Sequence, residues 1–226
     1  MLPAAEFANF PRYNTQGRSR LDPKIEEMLH AYEKRSDAER ALMAEMQRGE
    51  GLARRDDFLL SVGPHTGQFL NSLARDAKAQ RMLELGTSYG YSTVWLAEAA
   101  RATGGGVTSV ELQPKKRDFT RQQLAQVGLD SFVDLRLGDA LVILPDLAGP
   151  FDLVLIDLWK DLYVPCLELL LPKLAPGAFV VADNMISPEM ARHDAELYRR
   201  HLRGTGRFDT VLLPLGHGIE VSRFVG

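Results

Sequence analysis

The chain has 226 residues, 45% of them hydrophobic and 25% charged, the composition of an ordinary globular protein with one sizeable core. A formal net charge of −3 supplies no global attraction to nucleic acid or to an anionic membrane, and no apolar stretch approaches the ~20 residues that a membrane helix requires. A single cysteine, Cys166, excludes an intramolecular disulfide framework, and MLPAAEFANFPRYN at the start has neither a basic opening nor a long apolar run, so the expectation is a cytoplasmic protein.

In chain order, residues 1–20 scatter Pro, Asn, Gly and Arg without a period and read as an irregular arm. From Asp22-Pro23 the pattern turns helical, with Ile25, Met28, Leu29 and Tyr32 at helix spacing, Asp22 as cap and Pro23 in the first turn. A second helix is expected over 37–48, stopped by Gly49-Glu50-Gly51, and a third over 64–78 with Phe69, Leu70 and Leu73 on one face. The apolar face of these early helices leaves room for a homodimer. From Arg81 onward short apolar runs (81–85, 107–111, 132–137, 153–157 and 178–182) alternate with helical patterns (93–100, 115–127, 141–144 and 163–171). Strand–helix alternation of this kind builds βαβ units and hence a parallel sheet covered on both faces. The final runs, 208–214 and 219–225, flank Leu215-Gly216-His217-Gly218 and read as a hairpin, so at least one late strand is expected to be antiparallel.

The junction of the first strand and its helix reads MLELGTSYGYSTVWLA, with Glu84, Gly86 and Gly90 where a ligand would approach the backbone. The second strand ends in Glu111, whose carboxylate suits the two hydroxyls of a ribose. Together they point to a cofactor that carries adenosine. The spacing G-T-S-Y-G is neither the dinucleotide fingerprint nor a phosphate loop, which disfavours a nicotinamide dehydrogenase. It is similar instead to motif I of the class I S-adenosylmethionine-dependent methyltransferases. A plain glycine turn of a doubly wound fold would look much the same.

The fourth strand runs into VLIDLWKDLY and the fifth into VVADNMI. Asp157, Asp183 and Asn184 therefore gather at the carboxyl ends of neighbouring strands, a hard, oxygen-only set suited to Mg²⁺ rather than Zn²⁺. Strand-end acids also cap helices, and Asp-Asn is a common turn pair. Lys160, one short turn beyond Asp157, would lose its proton more readily beside a cation and so could act as a general base; it could equally be a solvated lysine paired with Asp161.

With IDLWKDLY and ADNMISP in register with LELGTSYGYS, the chain resembles the cation-dependent O-methyltransferases, and among them the catechol O-methyltransferases. The resemblance runs from about Asp57 to the C-terminus and takes in SVGPHTGQFL as the cofactor-entry segment, TSVELQP with the ribose acid, and GDA as the turn beside adenine. It implies a Rossmann-like methyltransferase fold: α/β, doubly wound, a seven-stranded, mostly parallel sheet with an antiparallel C-terminal strand and an N-terminal helical cap, all in one domain, with cap 1–78 and cofactor-binding core 79–226. It implies that Val62, Glu84, Gly86, Ser88, Tyr89, Gly90, Ser92, Glu111, Gly138, Asp139, Ala140 and Asp157 bind S-adenosyl-L-methionine. By the same resemblance Asp157, Asp183 and Asn184 hold Mg²⁺ or another hard divalent cation, Lys160 is the catalytic base, and Phe58, Trp159, Lys160, Asn184 and Pro188 meet the substrate. That substrate would be a phenolic or vicinal-diol small molecule, with no nucleic-acid or membrane partner. Its metal-held oxygen, deprotonated by Lys160, would attack the sulfonium methyl in line. Phe58 stands where the family has a tryptophan gatekeeper and Leu158 where it has a histidine, while His217 and Glu220 occupy the region of a late glutamate that touches the second substrate hydroxyl. A metal-independent methyltransferase of the same fold and a non-catalytic adenosine-ligand binder are the alternatives; a metal titration and a phenol panel separate them.

Overall fold

The computed structural model describes residues 21–45 and 57–226, so the expected arm at 1–20 and the stop at Gly49-Glu50-Gly51 lie outside the described residues. Helix α1 (Pro23–Glu45) starts as its sequence dictates: the Asp22 side chain accepts from Lys24 N at 2.9 Å, and Pro23 sits in the first turn. The break expected ahead of Asp37 does not occur. No Gly or Pro interrupts residues 24–45, Arg35 pairs with Glu39 one turn on at 2.6 Å, and Ser36 is buried with its Oγ 3.0 Å from Ser61 Oγ. Ser36 is thus an inward-facing contact on one continuous helix, with Asp37 exposed beside it.

Helices α2 (Pro64–Asp76), α3 (Tyr91–Thr103), α4 (Pro114–Gln126), α5 (Ala140–Ile143), α6 (Tyr163–Leu170) and α7 (Arg192–Gly204) surround strands β1 (Arg81–Leu85), β2 (Gly106–Glu111), β3 (Val133–Leu137), β4 (Phe151–Ile156), β5 (Leu174–Ala182), β6 (Phe208–Leu213) and β7 (Ile219–Phe224). The expected α/β sheet is present. Its order is β3-β2-β1-β4-β5-β7-β6, the first five strands mutually parallel and β7 antiparallel to both neighbours. Strand β5 begins at Leu174, ahead of the apolar run expected at 178–182, because the ladder with β4 absorbs Ala175-Pro176-Gly177 in an irregularity between Phe151 and Leu153.

Helix α7 was not anticipated. Its pattern is nonetheless amphipathic: Ala195, Tyr198 and Leu202, its only fully buried side chains, recur at helical spacing in an otherwise charged segment. They pack with α6 against one face of the sheet, while α2 and α3 cover the other and α1 lies over α3 and α4 through Ile25, Leu29 and Tyr32. Both faces being covered, the central parallel strands are free to be mostly apolar, as in the LVLI of β4. Among the described residues no helix is long and apolar enough to cross a membrane.

Candidate active site

The sheet order reverses between β1 and β4, and the carboxyl tips of those two strands meet. Asp157 N donates to Leu85 O at 2.9 Å, and Gly86 N donates to Val110 O at 3.0 Å, so the loop after β1 is stapled to both neighbours. Gly86 has φ +99°, and a Cβ there would lie 2.1 Å from the Asp157 carbonyl oxygen. Only glycine permits that approach. Ser88, at φ +49°, donates N–H to Glu111 Oε2 at 2.7 Å and its hydroxyl to Leu59 O at 2.8 Å. Glu111 also accepts from Gln113 N at 2.8 Å, and its carbonyl accepts from Gly138 N at 2.9 Å. The third strand tip is thereby drawn to the second, with Asp139 capping α5 through Leu141 N and Ala140 buried behind it. Gly86, Ser88, Gly90, Glu111, Gly138 and Asp157 thus form one continuous rim at the carboxyl edge of the sheet, where open α/β sheets bind ligands.

Not every residue of the expected cofactor set faces that rim. Glu84 is fully buried beneath it, accepting hydrogen bonds from Ser92 and Thr93 at 2.6 Å each and from Ser109. Burial pushes its carboxyl up to about 7 against the three hydroxyls, which act the other way. Ser92 is spent on Glu84. The Tyr89 ring is enclosed, with the Arg35 guanidinium 4.1 Å from its centroid and Phe119 edge-on at 5.3 Å, and its carbonyl accepts from Tyr32 Oη at 2.6 Å. Val62 is buried just ahead of α2, and its carbonyl lies against the β6–β7 turn at Gly216.

Beyond the rim, β4 and β5 deliver the acids side by side. Asp183 N donates to Ile156 O at 3.1 Å. Asp183 is 1% exposed, and its Oδ1 has no hydrogen-bond partner among the described residues. Burial raises its pKa well above the carboxylate range and the Asp157 carboxylate raises it further; Asp157 is raised by burial too, with Lys160 and His217 opposing. Two enclosed carboxyls that resist ionisation, one with an orphaned oxygen, are the donor chemistry a hard cation would satisfy. Asn184, next in sequence, is held at φ +58°. Among the described residues there is no group of three or more His, Cys, Asp and Glu side chains arranged for a metal, so the set rests on two carboxylates and the Asn184 amide.

Lys160 Nζ lies 3.7 Å from Asp157 Oδ1 and donates to Leu158 O at 2.8 Å and Tyr163 Oη at 2.6 Å. Trp159, 38% exposed, stands at the turn before it, and Pro188 is exposed in the segment after Asn184. Phe58 is only 4% exposed, so the structure does not offer it as an open gatekeeper.

The late turn resolves the two residues left open there. Glu220 is fully buried on the α7 side of β7, bonded to Arg199 at 2.9 Å, Arg203 at 2.7 Å and Thr210 at 2.8 Å, so it holds the sheet to α7 and does not reach the site. His217 does adjoin it. Its carbonyl accepts from Ile186 N and Ser187 N at 3.0 Å each, its Nδ1 is buried without a partner among the described residues, and burial lowers its pKa while Asp157 opposes. A lone turn histidine carries no motif, so only the fold could bring it forward. Tyr163 was likewise read as a plain helix residue, although its place three residues after Lys160 puts both on one side of the turn.

The sequence profile of a methyltransferase domain family matches residues 83–185, which span this rim from β1 to Met185. A catechol O-methyltransferase of Niastella koreensis is 38% identical over 157 residues, covering 68% of this chain and 70% of its own. One from Mycobacterium tuberculosis is 41% identical over 128 residues, covering 56% of this chain and 58% of its own. In structure, the O-methyltransferase TomG of Streptomyces achromogenes, solved in complex with SAM, superposes with TM-score 0.74 at 25% identity over 95% of each chain. The rim, its backbone and these relatives agree: the chain belongs to the catechol O-methyltransferase-like family of class I, S-adenosylmethionine-dependent O-methyltransferases.

Proposed function

We propose that the chain methylates one oxygen of a vicinal dihydroxy, catechol-like small molecule and requires a hard divalent cation to do so. The observation that carries this reading is the orphaned Asp183 Oδ1, enclosed beside Asp157 with the Lys160 amine 3.7 Å from the Asp157 carboxylate. The names of the relatives, catechol O-methyltransferases, support it. Asp157, Asp183 and Asn184 would hold the cation, Mg²⁺ fitting an all-oxygen set, and when bound it would orient the paired substrate oxygens and acidify their hydroxyls.

The residues of the chain divide the remaining work. The backbone of Gly86–Gly90, the Glu111 carboxylate and the Gly138–Ala140 turn receive the adenosine portion of S-adenosyl-L-methionine. Glu84, Ser92 and the Tyr89 ring support that loop from behind. Lys160 takes the proton from the attacking hydroxyl. The new oxygen–carbon bond forms as the sulfonium releases its methyl group, and S-adenosylhomocysteine departs. Opposite charges cancel in that step, so apolar walls that exclude water favour it. Trp159 and Pro188 provide them; Phe58, already enclosed, would have to turn outward to join.

Two comparisons test this. A vicinal diphenol should be methylated at least ~10²-fold faster than the matching monophenol, since only the diphenol presents two adjacent oxygens. Lys160→Ala should lower turnover by roughly 10²- to 10⁴-fold while cofactor affinity, measured by calorimetry, stays near that of the parent. Equal rates on the two phenols would reject the substrate class, and parent turnover in the variant would remove Lys160 from the base role.

A further inference from the structure

Tyr163 opens α6, and it is wholly buried. Its hydroxyl accepts from Lys160 Nζ at 2.6 Å and donates to the Asp183 carbonyl oxygen at 3.2 Å. Its ring stands edge-on to Tyr198 of α7 at 5.4 Å and 87°. One hydroxyl therefore ties the amine that follows β4 to the backbone of the acid that ends β5.

We propose that Tyr163 is a positioning residue for methyl transfer, whose hydroxyl, with the Leu158 carbonyl, fixes the direction of the Lys160 amine at the reacting edge. The inference rests on the reading of Lys160 as base.

A lysine amine ends four rotatable bonds and is ordinarily a poorly directed group. Here two acceptors, Leu158 O at 2.8 Å and Tyr163 Oη at 2.6 Å, take two of the tetrahedral directions on nitrogen. A neutral amine held this way donates both N–H bonds to them. Its lone pair is then confined to the direction that these two bonds leave, on an amine that lies 3.7 Å from Asp157 Oδ1. Direction matters as much as distance for proton transfer. A plain core role does not account for the arrangement. A buried tyrosine hydroxyl needs one partner, and Asp183 O alone would serve. Tyr198 provides the contrast within the same ring pair: it is equally buried, its hydroxyl has no partner among the described residues, and it lies one residue further from Lys160 in the chain of contacts.

The test is a double-mutant cycle with Tyr163→Phe and Lys160→Ala, together with Tyr198→Phe as control. Tyr163→Phe is expected to lower kcat about 10- to 100-fold, with KM for the diphenol and the dissociation constant for S-adenosyl-L-methionine unchanged. In the Lys160→Ala background the same substitution is expected to cost nothing further, because there is no amine left to direct. Tyr198→Phe should retain the parent kcat. An equal fold-loss from Tyr163→Phe in both backgrounds would overturn the proposal. So would a parent-like kcat in the single variant, or failure of Tyr163→Phe to fold, which would make the hydroxyl a fold-holding group. Parent turnover in Lys160→Ala would instead sink the base reading, whereas parent turnover in Tyr163→Phe beside a crippled Lys160→Ala sinks the positioning role alone.

Discussion

Gly86→Ala tests the contact between the loop after β1 and the tip of β4. At φ +99° an alanine carries backbone strain of about 1–2 kcal/mol. Its Cβ would also sit 2.1 Å from the Asp157 carbonyl oxygen, where real Cβ atoms keep beyond 3.0 Å, so loop and strand tip must part by roughly 1 Å. Forced separation of a packed contact costs a further ~1–3 kcal/mol, giving a loss of about 2–5 kcal/mol in all. Domains of this kind have about 5–15 kcal/mol in hand, so the variant should fold, with its melting midpoint lowered by roughly 10 °C. The displacement moves Asp157 relative to Asp183 and Lys160, and a shift of about 1 Å at a reacting centre lowers rate on the order of 10²-fold. Urea unfolding followed by circular dichroism reads the first effect, and methyl transfer at saturating cofactor reads the second. A variant with parent stability and parent turnover would refute the packing argument. One that loses stability yet keeps the parent rate would show that the loop and Asp157 are not mechanically joined.

Two further perturbations separate support from chemistry. Burial raises the Glu84 carboxyl from its ordinary 4.5 to about 7, so it binds its proton more tightly when folded; its favourable contribution is complete below about pH 4.5 and is lost as pH rises through about 7, amounting to roughly 3 kcal/mol. Urea midpoints measured from pH 5 to 8 should therefore fall with pH in the parent and fall less steeply in Glu84→Gln; identical slopes would rule out this titration. Glu220→Gln weakens the charge-assisted bonds to Arg199 and Arg203 and should cost about 2–3 kcal/mol in denaturant unfolding while kcat stays at the parent value, since the side chain lies on the α7 side; a selective fall in kcat would return Glu220 to the substrate site.

How much of this could be read from the residues depends on whether local pattern or tertiary contact decides each feature. Strand β1 is bounded as its apolar run ends, and Glu111, Asp157 and Asp183 each close an apolar run and so mark a strand tip, whereas Glu84 is held inside β1 by the hydroxyls of Ser92, Thr93 and Ser109. Helix α1 runs through the boundary expected ahead of Asp37; Ser61, 25 residues away, meets Ser36 there, and that contact has no local signature. Helix α7 lies outside the expected elements although Ala195, Tyr198 and Leu202 recur at helical spacing, and Glu220 of β7 draws Arg199 and Arg203 onto the sheet beside them. At the site, residue types pointed to the chemistry, whereas Tyr163 and His217 owe their places to a turn and a hairpin that only the folded chain brings to Asp183.

The requirement for a divalent cation is the claim on which the proposed reaction most depends. Protein stripped with chelator and passed into metal-free buffer should show no methyl transfer to a vicinal diphenol from S-adenosyl-L-methionine, and stepwise addition of Mg²⁺ should restore it to a saturating rate. Undiminished transfer in the stripped protein, unchanged on adding Mg²⁺, would contradict the account.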